Sequence, residues 1–120
     1  MKIGTLTLDN PVLLAPLAGI THLPVRLLAR EAGCALVCTE MVSADGLAHG
    51  SPHTLPYLRS RPAEKPLAAQ IFGADPAVMA AAAAIVQDSG ADVVDINFGC
   101  AVRKVVKAGA GAALMRTPKR

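Results

Sequence analysis

The chain has 120 residues, of which 52% are hydrophobic and 18% charged, a balance that argues against disorder and fits one small folded domain. Only Tyr57, Phe72 and Phe98 are aromatic while Ala supplies 23 positions, which argues against stacking platforms for single-stranded nucleic acid and for close-packed parallel strands under helices. The net charge of +3 is unevenly placed: residues 1–100 carry −3, and residues 101–120 carry +6 with no acid, a basic end suited to a phosphate-bearing partner.

Lys2 to Leu8 alternates weakly and runs into Asp9-Asn10-Pro11, so the first predicted element is a short strand entering a turn. Val12 to Ala15, stopped by Pro16, reads as a buried strand. Thr21 as N-cap and Pro24 in the first turn open a helix whose apolar face is Val25, Leu27, Leu28 and Ala32, with Gly33 as its stop. Ala35 to Thr39 is the next buried strand, and Met41 to Arg61 is a long loop with one short helix over Ala44 to Ala48. Pro66 opens a strand over Leu67 to Phe72. Asp75 as N-cap and Pro76 at the first helical position then start a helix that runs to Ser89 and ends at Gly90. Ala91 to Asn97 is the fourth strand of the repeat. A loop carrying Arg103, Lys104 and Lys107 follows, then a short helical stretch within Gly109 to Arg116.

Strands alternating with helices at this spacing form βα repeats with right-handed crossovers and a parallel sheet. A closed barrel of this kind needs eight such units and typically ~250 residues. Thr117-Pro118 also signals a helix start with only two residues to follow. The expected fold class is therefore α/β: the N-terminal part of a (β/α)8 TIM barrel with parallel strands, truncated.

The longest apolar run, Ala77 to Val86, has ten residues and is too short to cross a bilayer, and no secretory segment opens the chain, so a cytoplasmic location is expected. Cys34, Cys38 and Cys100 cannot form a fully paired disulfide framework. Cys34 and Cys38 read as small buried side chains and lack nearby partners for a zinc site. His22, His49 and His53 are scattered in loops and form no acid–base dyad.

In parallel α/β folds ligands gather at the carboxyl ends of the strands. There the sequence places Ala15-Pro16-Leu17-Ala18-Gly19, Glu40-Met41, Gln70, and Asp95-Ile96-Asn97-Phe98-Gly99-Cys100. The segment with small residues at Ala15, Ala18 and Gly19 is either an ordinary βα turn or one that lets a flat ligand approach the backbone closely. Cys100, beside Arg103, Lys104 and Lys107, is either a buried inert cysteine or a thiol that serves as proton donor or nucleophile. Gly109-Ala110-Gly111 matches only the start of a dinucleotide fingerprint, a weak signal.

Ala15-Pro16-Leu17-Ala18-Gly19-Ile20-Thr21, Thr39-Glu40-Met41-Val42, Ala69-Gln70-Ile71-Phe72-Gly73 and Asp95 to Cys100 occur in order. Together with Arg103-Lys104-Val105-Val106-Lys107 and Gly109 to Leu114, they resemble the bacterial tRNA-dihydrouridine synthases, closest to the B-type branch, over essentially all 120 residues. The resemblance implies an FMN-binding (β/α)8 barrel followed by a helical tRNA-binding domain, reducing the C5=C6 bond of uridines in tRNA with NADPH as reductant. By the same resemblance Pro16, Leu17 and Ala18 form the flavin-contacting turn and Gln70 is the flavin-binding glutamine. Asn97 lies near flavin and substrate, and Cys100 is the catalytic cysteine that gives a proton to uracil C5. Arg103, Lys104 and Lys107 are expected to meet tRNA phosphate.

Ala101 follows Cys100 where the family has proline, which predicts a looser loop around the thiol. The family's active-site lysine and histidine, its grip on the FMN phosphate and its tRNA-binding domain correspond to nothing in these 120 residues. The expectation is thus a fragment inactive by itself, with open sheet edges and an uncovered apolar face. The alternatives are a catalytically silent half-barrel that associates with another chain, and another FMN barrel oxidoreductase related to dihydroorotate dehydrogenases.

Overall fold

Near the N-terminus the chain turns back on itself. Gly4, at φ 55°, closes a small antiparallel hairpin of β1 (Lys2–Ile3) and β2 (Leu6–Thr7) where the sequence predicts one strand over Lys2 to Leu8. Only a glycine takes this backbone conformation without strain, and that breaks the strand in two. The computed structural model describes residues 1–118; Lys119 and Arg120, part of the basic end, lie outside the described residues.

The next elements in order are α1 (Leu23–Glu31), β3 (Val37–Cys38), β4 (Val42–Ser43), α2 (Ala44–Ala48), β5 (Leu67–Phe72), α3 (Pro76–Asp88), β6 (Val93–Ile96) and α4 (Arg103–Lys107). Short 3-10 stretches lie at Leu55–Leu58, Pro62–Glu64 and Gly111–Arg116. β5 is the hub: it pairs in parallel with β3 and β4 along one edge and with β6 along the other. Beyond β3, Val12 to Leu14 adds a parallel bridge, with the Leu14 N–H donating to the Leu36 carbonyl at 2.9 Å. The four segments lie side by side in chain order, as the βα reading predicts. Val12 to Ala15 is not the buried strand expected of it. It is an edge with one ladder neighbour, and Val12 and Leu13 are exposed.

β5 matches its predicted bounds because its apolar run is flanked by Pro66 and Gly73. α3 starts where expected, with the Asp75 side chain accepting from the Ala77 and Val78 N–H groups at 2.9 and 3.0 Å. Three helical details differ from expectation. Thr21 does not cap α1; the N-cap is His22, which makes no side-chain cap bond, because the Thr21 hydroxyl is engaged one turn back. Leu28 is not part of the buried face: the buried position of α1 is Arg26, and Leu28, two residues and about 200° further round, points away. Arg103 to Lys107 forms α4, not a loop, with the Val105 and Val106 N–H groups both donating to the Val102 carbonyl.

One core lies between the sheet and the α2–α3 layer, where Val42, Leu47, Ala69, Ile71, Ala82 and Val86 pack together. A smaller cluster of Leu8, Ala35, Leu36, Cys38 and Ala68 sits on the opposite, inner face. The period of two decides this division. Ala69 and Ile71 face the helices; Ala68 and Gln70, with Val93, Asp95 and Asn97 beside them, take the inner face.

Candidate active site

Along the inner face the side chains are apolar at the amino ends of the strands and polar at their carboxyl ends. At those ends Pro16, Leu17, Ala18, Gln70, Asn97 and Cys100 line one cleft of about 500 Å³, together with Met41, Asp95 and Phe98. All six residues expected to serve flavin, base and proton transfer are therefore neighbours. Arg103, Lys104 and Lys107 are not in the cleft; they lie exposed on α4, which begins directly after the cleft residue Val102.

A bulge builds one wall. The register passes from Cys38↔Ala68 to Val42↔Ile71 with one more residue on the first strand than on β5, so Thr39, Glu40 and Met41 bow out between β3 and β4. Each then holds a different part of the site. The Thr39 hydroxyl accepts from the Gln70 N–H at 3.1 Å, the Glu40 carboxylate accepts from the Gly19 N–H, and the Met41 sulfur lies 3.6 Å from Asn97 Nδ2.

The turn carrying Pro16 to Ala18 is fixed by Thr21, which is fully buried. Its hydroxyl accepts from the Leu17 N–H at 3.1 Å and donates to the Leu17 carbonyl at 3.2 Å. Arg26 Nη1 in turn donates to the Thr21 carbonyl at 2.9 Å, and Arg26 is paired with Glu64 at 2.5 Å. The Thr21→Val variant keeps the shape and loses both hydroxyl bonds, leaving the Leu17 N–H without its partner. We expect it to lose about 1–3 kcal/mol of stability in a urea titration; an unchanged midpoint would show that the turn holds without Thr21.

Side-chain amides form the floor. Gln70 Nε2 donates to Asp95 Oδ2 at 2.6 Å, and Asn97 Nδ2 donates to Gln70 Oε1 at 3.0 Å. Asn97 Oδ1 then accepts from the Gly99 and Cys100 N–H groups at 3.1 and 2.9 Å. The loop at Cys100 is held from its other side by the Ala112 N–H, which donates to the Cys100 carbonyl at 3.0 Å. The absence of proline at Ala101 thus leaves a loop tied at three backbone points. Gly111, at φ 60°, permits this approach: a Cβ there would lie 2.6 Å from the Cys100 carbonyl oxygen. Of the two glycines around Ala110, Gly111 thus serves backbone packing at this spot, while Gly109 lies against the Ala74 side chain.

Cys100 is half-buried with its side chain at the cleft. Cys38 is buried in the inner-face cluster, where desolvation, with the Asp95 carboxylate adding to it, pushes the thiol up to about 12, so it stays protonated and unreactive. Among the described residues no three His, Cys, Asp or Glu side chains are grouped to hold a metal ion, and no helix is long and apolar enough to cross a membrane.

A protein-family model described as Dihydrouridine synthase matches residues 13–120. The chain belongs to the dihydrouridine synthase family. It is 43% identical over 119 residues to a probable tRNA-dihydrouridine synthase of Rhodobacter capsulatus, covering 98% of this chain and 37% of that protein. It is 40% identical over 116 residues to tRNA-dihydrouridine synthase B of Pseudomonas aeruginosa, covering 97% and 35%. To probable tRNA-dihydrouridine synthase 1 of Synechocystis it is 44% identical over 120 residues, covering 98% and 33%. The chain spans about a third of the length of these relatives.

In this dihydrouridine synthase family member, Asp95, Thr39 and Thr21 stand within runs that the sequence marks, but no sequence signal assigns them a part in holding the site. Asp95 was legible in principle, since it stands two residues before Asn97 on one strand and so shares its face. Thr39 acts on the Gln70 N–H, a backbone group distant in sequence that no local pattern reveals, whereas Thr21 turns back locally onto Leu17, where its sequence signal reads as a helix cap.

Proposed function

We propose that this chain carries the flavin-side portion of a cytoplasmic, FMN-dependent tRNA-dihydrouridine synthase that reduces the C5=C6 bond of uridine in tRNA. The observation that supports this most is the convergence of the Pro16–Ala18 turn, Gln70, Asn97 and Cys100 on one cleft. The names of the relatives supply the substrate class. The parallel strands in sequential order support reading the sheet as part of a (β/α)8 barrel, with its site at the carboxyl ends.

The residues present fit a flavin ring. Gln70 lines the cleft with one N–H and one lone pair unspent, and the neighbouring turn offers exposed backbone and the half-exposed Leu17. When bound, FMN supplies the hydride for uracil C6 and is recharged by NADPH. Cys100 Sγ holds the proton for uracil C5, on a loop whose main chain is fixed. Asn97 lies beside it, toward the base. Arg103, Lys104 and Lys107 on the exposed side of α4 meet tRNA phosphate in a salt-dependent way while the target base leaves its stack to enter the cleft.

The test joins this segment to the remainder of a whole-length relative and follows flavin through desalting by its visible spectrum. Gln70→Leu is expected to weaken flavin retention about tenfold, the size of one lost hydrogen bond. Retention unaffected by Gln70→Leu would overturn the placement of the flavin. Bound flavin with no dihydrouridine formed in tRNA would overturn the substrate.

One observation favours the second reading, a half-barrel that pairs with another chain. Ile3, Leu13, Leu14, Leu36, Cys38 and Val93 line an open, largely apolar hollow of about 420 Å³ on the inner face. A discrete oligomer of the 120-residue chain on gel filtration would support it.

A further inference from the structure

The amide chain on the cleft floor has a direction, and its two ends dictate it. As a carboxylate Asp95 can only accept, so Gln70 must turn its NH2 toward Asp95 and its oxygen toward Asn97. Asn97 must then turn its NH2 toward Gln70 and its oxygen toward the Gly99 and Cys100 N–H groups, which can only donate. With Met41 taking the other Nδ2 hydrogen, Asn97 has both hydrogens and both oxygen lone pairs engaged inside the protein. The Asn97 main chain is held on β5, its N–H donating to the Ile71 carbonyl at 3.0 Å. Its side chain is a relay whose oxygen-accepted bond away from the Cys100 loop goes, among the described residues, to Gln70, and the Gln70 side chain is in turn bonded to Asp95.

We propose that Asp95 is a positioning residue for Cys100, acting through Gln70 and Asn97 to fix the loop that presents the thiol. This role rests on reading Cys100 as the proton donor. It is distinct from flavin contact and from the known identity of the family, because it assigns to a carboxylate without a reacting partner the task of orienting both amides.

Amide hydrogen exchange in the 120-residue chain, read residue by residue by NMR, tests it without flavin or tRNA. Asp95→Ala is expected to speed exchange of the Gly99 and Cys100 amides about tenfold while the α3 amides keep their protection. Asp95→Asn retains an acceptor oxygen in the same place and is expected to restore rates close to those of the unaltered chain. Gln70→Met cuts the same chain one link later, so it is expected to reproduce the alanine effect, and the double variant is expected to add nothing. Unchanged exchange at Gly99 and Cys100 in Asp95→Ala would overturn the proposal. So would an asparagine variant as impaired as the alanine one, or a uniform loss of protection across the sheet and α3, which would mark Asp95 as a general stabiliser. Flavin retention in the joined protein is scored separately. Its failure beside the expected exchange pattern would remove the flavin reading and leave the role of Asp95 intact, and the reverse pattern would do the opposite.

Discussion

Replacing Cys100 by alanine, in this segment joined to the remainder of a whole-length relative, is expected to lower dihydrouridine formation about 10²–10⁴-fold, the usual contribution of a positioned general acid. The fold should survive the change. Cys100 is tied into the structure by its main chain, through its N–H to Asn97 Oδ1 and its carbonyl to the Ala112 N–H, and neither bond involves sulfur. A loss of product with flavin retention intact therefore isolates the thiol as the proton source. The measurement is dihydrouridine in digested tRNA, quantified by mass spectrometry against time. Undiminished product in the alanine variant would sink the assignment.

The second large effect concerns stability. Glu64→Ala leaves the Arg26 guanidinium buried, with only the Thr21 and Arg59 carbonyls as partners. An unpaired buried charge of this kind costs about 3–5 kcal/mol, a large part of the roughly 5–15 kcal/mol that holds an ordinary domain together. Urea unfolding is expected to show the loss directly. It should be accompanied by weaker flavin retention, because Arg26 also steadies the turn at Thr21. The paired replacement Arg26→Met with Glu64→Leu removes both charges and is expected to recover most of the stability. A fall of less than about 1 kcal/mol in Glu64→Ala would mean that water reaches the pair, as it does at exposed ion pairs.

These two residues also mark where reading the sequence succeeds and where it stops. Cys100 stands in a run, Asp95 to Cys100, whose residue types announce a strand end with chemistry attached, and the structure brings it beside Gln70 and the Pro16–Ala18 turn as that run implies. β5 and α3 were legible for the same reason, since their signals are local: Pro66 and Gly73 around an apolar run, Asp75-Pro76 before the alanines. Arg26 was not legible. In a stretch written Val25-Arg26-Leu27-Leu28, the hydrophobic pattern assigns the buried face to leucine. What reverses this is Glu64, a partner from another part of the chain that only the fold supplies. The hairpin at Gly4 and the bulge at Thr39 to Met41 escaped for a related reason: each is defined by pairing with a neighbour, not by the residues within it. α4 was hidden by its brevity, with no side-chain cap and three cations in five residues.

The side-by-side order of Leu13, β3, β5 and β6 bears on how the molecule is made. Each ladder of this sheet joins a strand to one synthesised before it: β3 to the Leu13 segment, β5 to both β3 and β4 along one edge, and β6 to β5. As the polypeptide leaves the ribosome, each new strand finds its template already made. Each of these ladders is nonetheless parallel and closes a loop through a crossover, the kind of pairing that is intrinsically slow to form, so this order limits the search without removing it. Assembly can proceed as a zipper from the amino end, with Cys100 brought onto Asn97 once the loop beyond β6 has been made.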